Sequence, residues 1–117
     1  MDTPITDTIF ARIVRGEIPA QIVYETDSVL AFHDIAPQAP VHVVVIPKTP
    51  VRDLVEASPD AEMLGQLLAA CAEVARITGI GASGFRVVVN TGQDGGQTVG
   101  YLHAHVLGGR ALSWPPG

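Results

Sequence analysis

The chain has 117 residues, with 7 Lys and Arg against 12 Asp and Glu for a formal charge of −5, 47% hydrophobic residues and only 16% charged ones. That length makes one domain, and the apolar share is enough to bury a core, which excludes a disordered chain. The acidic balance and the lack of any Lys/Arg cluster exclude the electrostatic footprint of a nucleic-acid or anionic-membrane binder.

From Asp7 or Thr8, either one an N-cap, apolar residues recur at helical spacing through Ile9-Phe10-Ala11-Arg12-Ile13-Val14-Arg15 and stop at Gly16. Gln21–Glu25 and Val29–His33, joined by Thr26-Asp27-Ser28, read as a hairpin. Two prolines, Pro37 and Pro40, rule out regular structure before His42–Ile46, a β-branched run expected as a central strand. Ser58-Pro59-Asp60 then supplies an N-cap, a first-turn proline and an acid. A long helix follows, with Leu64, Leu67, Leu68, Cys71, Val74, Ala75 and Thr78 in phase, ending near Gly79.

Gly84–Asn90 and the alternating run Tyr101–Leu107 complete about five strands and two helices. Strands joined by short turns or one long helix predict a mainly antiparallel α+β domain over 1–117. Cys71 reads as a small buried side chain, and a single cysteine is compatible with a reducing compartment. The stretch Met1–Asp7 is acidic and no signal-type apolar segment follows it. No run approaches the roughly 18 apolar residues that cross a bilayer, so the cytoplasm is the expected location and no membrane partner is expected.

The chemistry concentrates in two segments. Asn90–Val99 is glycine-rich, and backbone N–H groups freed by Gly95 and Gly96, with the side chains of Asn90 and Thr98, form a candidate phosphate cradle; a plain flexible loop is the alternative. Tyr101, His103 and His105 alternate, so in a strand they share one face at spacings of roughly 6.5–7 Å, with Leu102, Ala104 and Val106 turned to the core. Two adjacent imidazoles suit a nucleophile and a proton donor at one phosphorus centre. A metal pair is the lesser reading, because only His33 and His42 remain as further imidazoles and no Cys pair exists. His33 and His42 sit at strand ends where either can approach the same face. Asp34 is either a turn former or a carboxylate for a sugar diol, with Ile35 as an apolar wall for a base.

Three segments carry a resemblance to the histidine triad (HIT) family: Phe32–His42, Val88–Val99 and Leu102–Arg110. Together with Trp114-Pro115-Pro116-Gly117 they are similar to the Hint branch of purine nucleoside phosphoramidases, over nearly the whole chain. The resemblance implies a metal-independent hydrolase without cofactor, in which His103 attacks the α-phosphorus of an adenosine phosphoramidate, the amine leaves, and water releases AMP. His105 would contact phosphate or leaving group and His42 would tune the relay. Asp34 would hold the ribose, Ile35 and His33 would border the nucleotide, and Asn90, Gly96, Gln97 and Thr98 would bind phosphate. The resemblance also implies a homodimer whose sheets join, with residues 111–117 reaching the partner and Trp114 packing across the interface. The family pattern has histidine where this chain has Tyr101, whose hydroxyl cannot shuttle a proton at neutral pH as imidazole does. Retained hydrolysis at an altered rate is expected, with a nucleotide-binding protein of little turnover as the alternative.

Overall fold

The computed structural model describes residues 3–117; Met1 and Asp2, which open the acidic N-terminal stretch and the expected 1–117 domain, lie outside the described residues. After a single 3-10 turn at Ile5–Asp7, α1 spans Ile9–Val14, with β1 at Ile22–Glu25, β2 at Val29–His33 and β3 at Val41–Pro47. Then come α2 at Leu54–Ala57, α3 at Ala61–Ile77, β4 at Phe85–Val88 and β5 at Ala104–Gly108. The five strands form one antiparallel sheet in the order β1-β2-β3-β5-β4, with β3 at its centre as its β-branched run predicts. The expected α+β architecture of mainly antiparallel strands with a few helices is therefore what the chain adopts.

The period of two along the strands divides the core between two faces. Val29, Ala31, Val43, Val45, Ala104 and Val106 pack under α3 against Leu67, Cys71, Val74 and Ala75. Leu30, Phe32, Val44, Ile46 and Tyr101 face α1, where Phe10 and Ile13 cover them. Burying a side chain such as Leu67, 2% exposed, contributes about 2 kcal/mol. Burial pushes the Cys71 thiol up to about 11, so it stays an uncharged packing group.

Local boundaries differ from expectation where side chains choose between neighbouring caps. Thr8, not Asp7, caps α1: its side chain accepts from Ala11 N–H. Asp60 caps α3 by accepting from Met63 N–H, whereas Ser58 closes α2, a one-turn helix that its four residues were too few to signal by period. Leu68 lies off the buried stripe at 57% exposed. β5 begins at Ala104 rather than Tyr101, because its ladder with β3 starts only at Val45 opposite Ala104. No helix among the described residues is long and apolar enough to cross a membrane.

Candidate active site

The α1 face of the sheet gathers three of the four imidazoles. His42 on β3 lies opposite Leu107 and His105 on β5 lies opposite Val44, so the two rings are diagonal neighbours on adjacent strands. His42 Nε2 and His105 Nδ1 are 2.9 Å apart. His103, two residues before His105, keeps the same facing although it precedes the ladder, and the two ring centres are 4.9 Å apart. Phe10 of α1 meets the His103 ring edge-on at 4.8 Å and so limits its rotation. Leu102, Ala104 and Val106 turn to the α3 side, as the alternation predicts.

Fixed backbone groups determine the proton positions. The Tyr101 carbonyl only accepts, so His103 Nδ1, 2.7 Å away, carries a proton and donates it, which leaves Nε2 as the lone-pair nitrogen. The Gln38 N–H only donates, and it reaches His42 Nδ1 at 3.0 Å; neutral His42 therefore holds its proton on Nε2 and donates to His105 Nδ1. Neutral His105 in turn carries its proton on Nε2. Burial lowers the pKa of His103 and His42, partly offset at His103 by the Tyr101 carbonyl and at both by Asp34. His105 is pushed down to about 4, first by burial and then by the neighbouring imidazoles. All three rings are thus neutral near pH 7.

Asp34 serves two ends. Its Oδ1 accepts from Ala36 N–H at 2.8 Å, the expected turn former, while Oδ2 stands 3.4 Å from His42 Nε2. Asp34, His42 and His105 are close enough to suggest an ion site. The donor chemistry works against it, since the His42 nitrogen facing the other two is the one that carries the proton, and metal ligation needs a lone pair there. Beside Asp34 opens an apolar cavity of about 130 Å³ walled by Ile9, Phe10, Ile13, Ile18, Phe32 and Ile35. Ile35 is 95% exposed at its rim. A larger groove of about 420 Å³ lies between α3 and the β1–β2 hairpin; it holds no imidazole, and its carboxylate, Glu73, is paired with Arg76.

Several expected site residues sit elsewhere or work differently. His33 pairs in register with Val43, so it falls on the α3 side of the sheet, away from the other imidazoles, although it borders the apolar cavity. Gln97, expected at phosphate, is 6% exposed and has both ends of its amide engaged by backbone. Its Oε1 accepts from Gly92 N–H at 3.1 Å, while Nε2 donates to Arg52 O at 2.8 Å and Val99 O at 3.0 Å. It braces the glycine-rich loop instead. The Gly96 N–H donates to Gln93 O, and its φ of 78° closes the turn of the loop. Asn90 is half-buried before the loop, and Thr98 is exposed beside a depression shared with Asp7 and Thr8.

Tyr101, grouped with the catalytic residues for its place in the triad pattern although its hydroxyl is not expected to shuttle a proton, donates that hydroxyl to Pro47 O at 2.5 Å in the core, and burial raises it to about 12, so the phenol takes no part in proton transfer at neutral pH. Trp114 is 83% exposed, and its tail is held by Arg86 Nη2 donating to Ser113 O at 2.8 Å. The residues that sequence reasoning missed are Gln38, which acts through a backbone N–H that no residue type announces, and Phe10, legible only as a core position of α1.

The sheet thus presents paired imidazoles beside an apolar cavity and a carboxylate. The HIT domain model matches residues 15–112, and the chain belongs to the HIT family. It is 56% identical over 112 residues to an uncharacterized HIT-like protein of Synechococcus elongatus, covering 95% of this chain and 97% of that one. An uncharacterized HIT-like protein of Synechocystis is 58% identical with the same coverage. Among solved structures, a HIT family hydrolase from Legionella pneumophila superposes with a TM-score of 0.91 at 41% identity, over 95% of this chain and 100% of that one. A histidine triad protein from Clostridium difficile gives 0.89 at 39% identity, over 95% and 97%.

Proposed function

We propose that the protein is a nucleoside phosphoramidase of the Hint type, hydrolysing the P–N bond of purine nucleoside 5′-phosphoramidates through a nucleotidyl-histidine. The observation that carries this reading is the pair of backbone contacts behind the two adjacent rings, the Tyr101 carbonyl on His103 Nδ1 and the Gln38 N–H on His42 Nδ1, which together assign a lone pair to His103 Nε2 and a proton to His105 Nε2. His103 Nε2 forms a bond to the α-phosphorus as the bond from phosphorus to the amine nitrogen breaks. The departing nitrogen takes up one proton from solvent and leaves as the amine, while the neutral His105 Nε2–H donates a hydrogen bond to the phosphate or the leaving group. As His103 becomes cationic, its Nδ1–H bond to the Tyr101 carbonyl strengthens, which favours the transition state over the ground state. Water then attacks phosphorus, gives AMP, and returns His103 to its neutral form. The apolar cavity takes the base, Asp34 the ribose hydroxyls, and Asn90 and Thr98 the phosphate oxygens.

Because the main-chain carbonyl of Tyr101, not its phenol, orients His103, the replacement of the expected triad histidine leaves the nucleophile in place. We read the functional unit as a cytoplasmic homodimer joined along the edge strand β4, where Phe85 is exposed, with Trp114 reaching the partner. A monomer peak in sizing at micromolar concentration would contradict the dimer. The central test is AMP release from adenosine 5′-phosphoramidate in the presence of a chelator. The parent is expected to turn over and His103→Ala to be inert; an inert parent that binds AMP would make this a binding protein instead.

A further inference from the structure

We infer that Arg110 is a positioning residue of the imidazole relay, acting through the backbone of Gln38 to set which nitrogen of His42 carries the proton. The inference rests on the reading above only in that His105 turns its outward N–H to the phosphate or the leaving group. His42 alone has no preference strong enough to fix its proton, since a neutral imidazole carries it on either nitrogen. The Gln38 N–H at 3.0 Å from Nδ1 supplies the preference, and Asp34 Oδ2 at 3.4 Å from Nε2 adds to it from the other side of the ring. If that N–H drifts away, His42 is free to hold its proton on Nδ1 and offer a lone pair from Nε2. His105, 2.9 Å distant, then donates from Nδ1 and turns a lone pair, not a proton, toward the site. The loop hydrogen bond therefore shifts whether His105 turns a hydrogen-bond donor or a lone pair toward the site.

The segment between β2 and β3 that carries Gln38 has no ladder of its own. Asp34 Oδ1 accepts from Ala36 N–H at 2.8 Å, and the Gln38 amide donates to Ala36 O at 2.9 Å, but both bonds lie inside the segment and do not fix its middle against the sheet. Arg110 supplies that tie. Its Nη2 donates to Gln38 O at 3.2 Å, while Nη1 donates to Ala111 O at 3.0 Å, so the guanidinium fork bridges the chain after β5 to the loop. Gly109 permits the approach: its φ is 90°, and a Cβ there would stand 2.8 Å from Pro40 Cβ. Arg110 is exposed, so its truncation leaves the core untouched.

The test uses the full chain with ¹⁵N-labelled histidine, parent against Arg110→Ala, Arg110→Lys and Gln38→Pro, the last deleting the N–H itself. Long-range ¹H–¹⁵N correlations report which ring nitrogen of His42 is protonated, and steady-state kinetics on adenosine 5′-phosphoramidate give kcat and KM separately. The parent is expected to hold the proton on Nε2, and Arg110→Ala to show mixed tautomers with kcat about threefold to tenfold lower and KM within about twofold, the scale of one hydrogen bond. Arg110→Lys, which keeps a donor without the fork, is expected between the two. If Gln38→Pro releases the proton while Arg110→Ala keeps it on Nε2 with parental kcat, Arg110 positions nothing and the inference falls. If the tautomer shifts in Arg110→Ala but the parent has no turnover, the positioning role stands and the phosphoramidase reading falls.

Discussion

Replacing Gln97 separates a brace from a ligand contact. Its buried amide closes three hydrogen bonds, one from Gly92 and two to the carbonyls of Arg52 and Val99, which tie the glycine-rich loop to the chain ahead of α2. Gln97→Ala removes all three and exposes the freed groups to only partial hydration, a loss of about 2–3 kcal/mol. For a domain of this size that corresponds to a fall in Tm of roughly 10 °C. Gln97→Glu is the sharper perturbation, because it keeps the shape but turns an acceptor toward two carbonyl oxygens. Those contacts are recovered only when the carboxyl is protonated, so its folded pKa rises above the unfolded value. Its deficit relative to the parent is then smallest at acidic pH and grows as pH rises through the folded pKa. Thermal melts of the three proteins from pH 4.5 to 8 read both effects. A Gln97→Ala protein that melts with the parent but shows a raised KM would refute the brace and return the side chain to the phosphate.

Tyr101→Phe removes the hydroxyl from Pro47 O in the core and is expected to lower stability by about 1–2 kcal/mol while kcat stays within about twofold, since the carbonyl on His103 is unchanged; a tenfold loss of kcat in a folded variant would place the phenol in the reaction. The acid limb of kcat/KM is expected below 6.5, because burial lowers the pKa of His103 and His105 and only protonation of these rings ends activity. The same shifts make stability fully present above about pH 6.5 and progressively lost toward pH 4, where the unfolded chain binds more protons than the folded one; a pH–rate profile with its acid midpoint above 6.5 would contradict the assignment.

The fold was legible because its signals are periodic. The alternation through His103, Ala104, His105 and Val106 assigned each residue to a face, and the β-branched run at His42–Ile46 identified the central strand. What the residues left open depended on partners distant in sequence. Gln97 is a polar side chain in a glycine-rich loop and reads as a phosphate contact until Arg52, 45 residues earlier, is found beside it. His33 and His42 both sit at strand ends, and only the register of His33 against Val43 shows that they face opposite ways. The cap of α1 was open between Asp7 and Thr8, chemically equivalent until the backbone shows which can reach an N–H, and the cap of α3 falls on Asp60, read as a first-turn acid, two residues past the expected Ser58.

Histidines alone do not give a relay a direction, because every imidazole both donates and accepts. Here direction enters at two backbone groups of fixed polarity. The Tyr101 carbonyl holds a proton on the inner nitrogen of His103, and the Gln38 N–H holds a lone pair on the outer end of His42, which places a proton on the site-facing nitrogen of His105. In the proposed reaction His103 and His105 share a side chain and differ in role through what stands behind them. A main-chain carbonyl is present whatever side chain occupies position 101. A residue there must only fill the space under Phe10 and satisfy its own polar atom, which Tyr101 does on Pro47 O. Tyrosine in place of the histidine that the family resemblance expects is therefore compatible with an intact nucleophile, and the change falls on packing before it falls on chemistry.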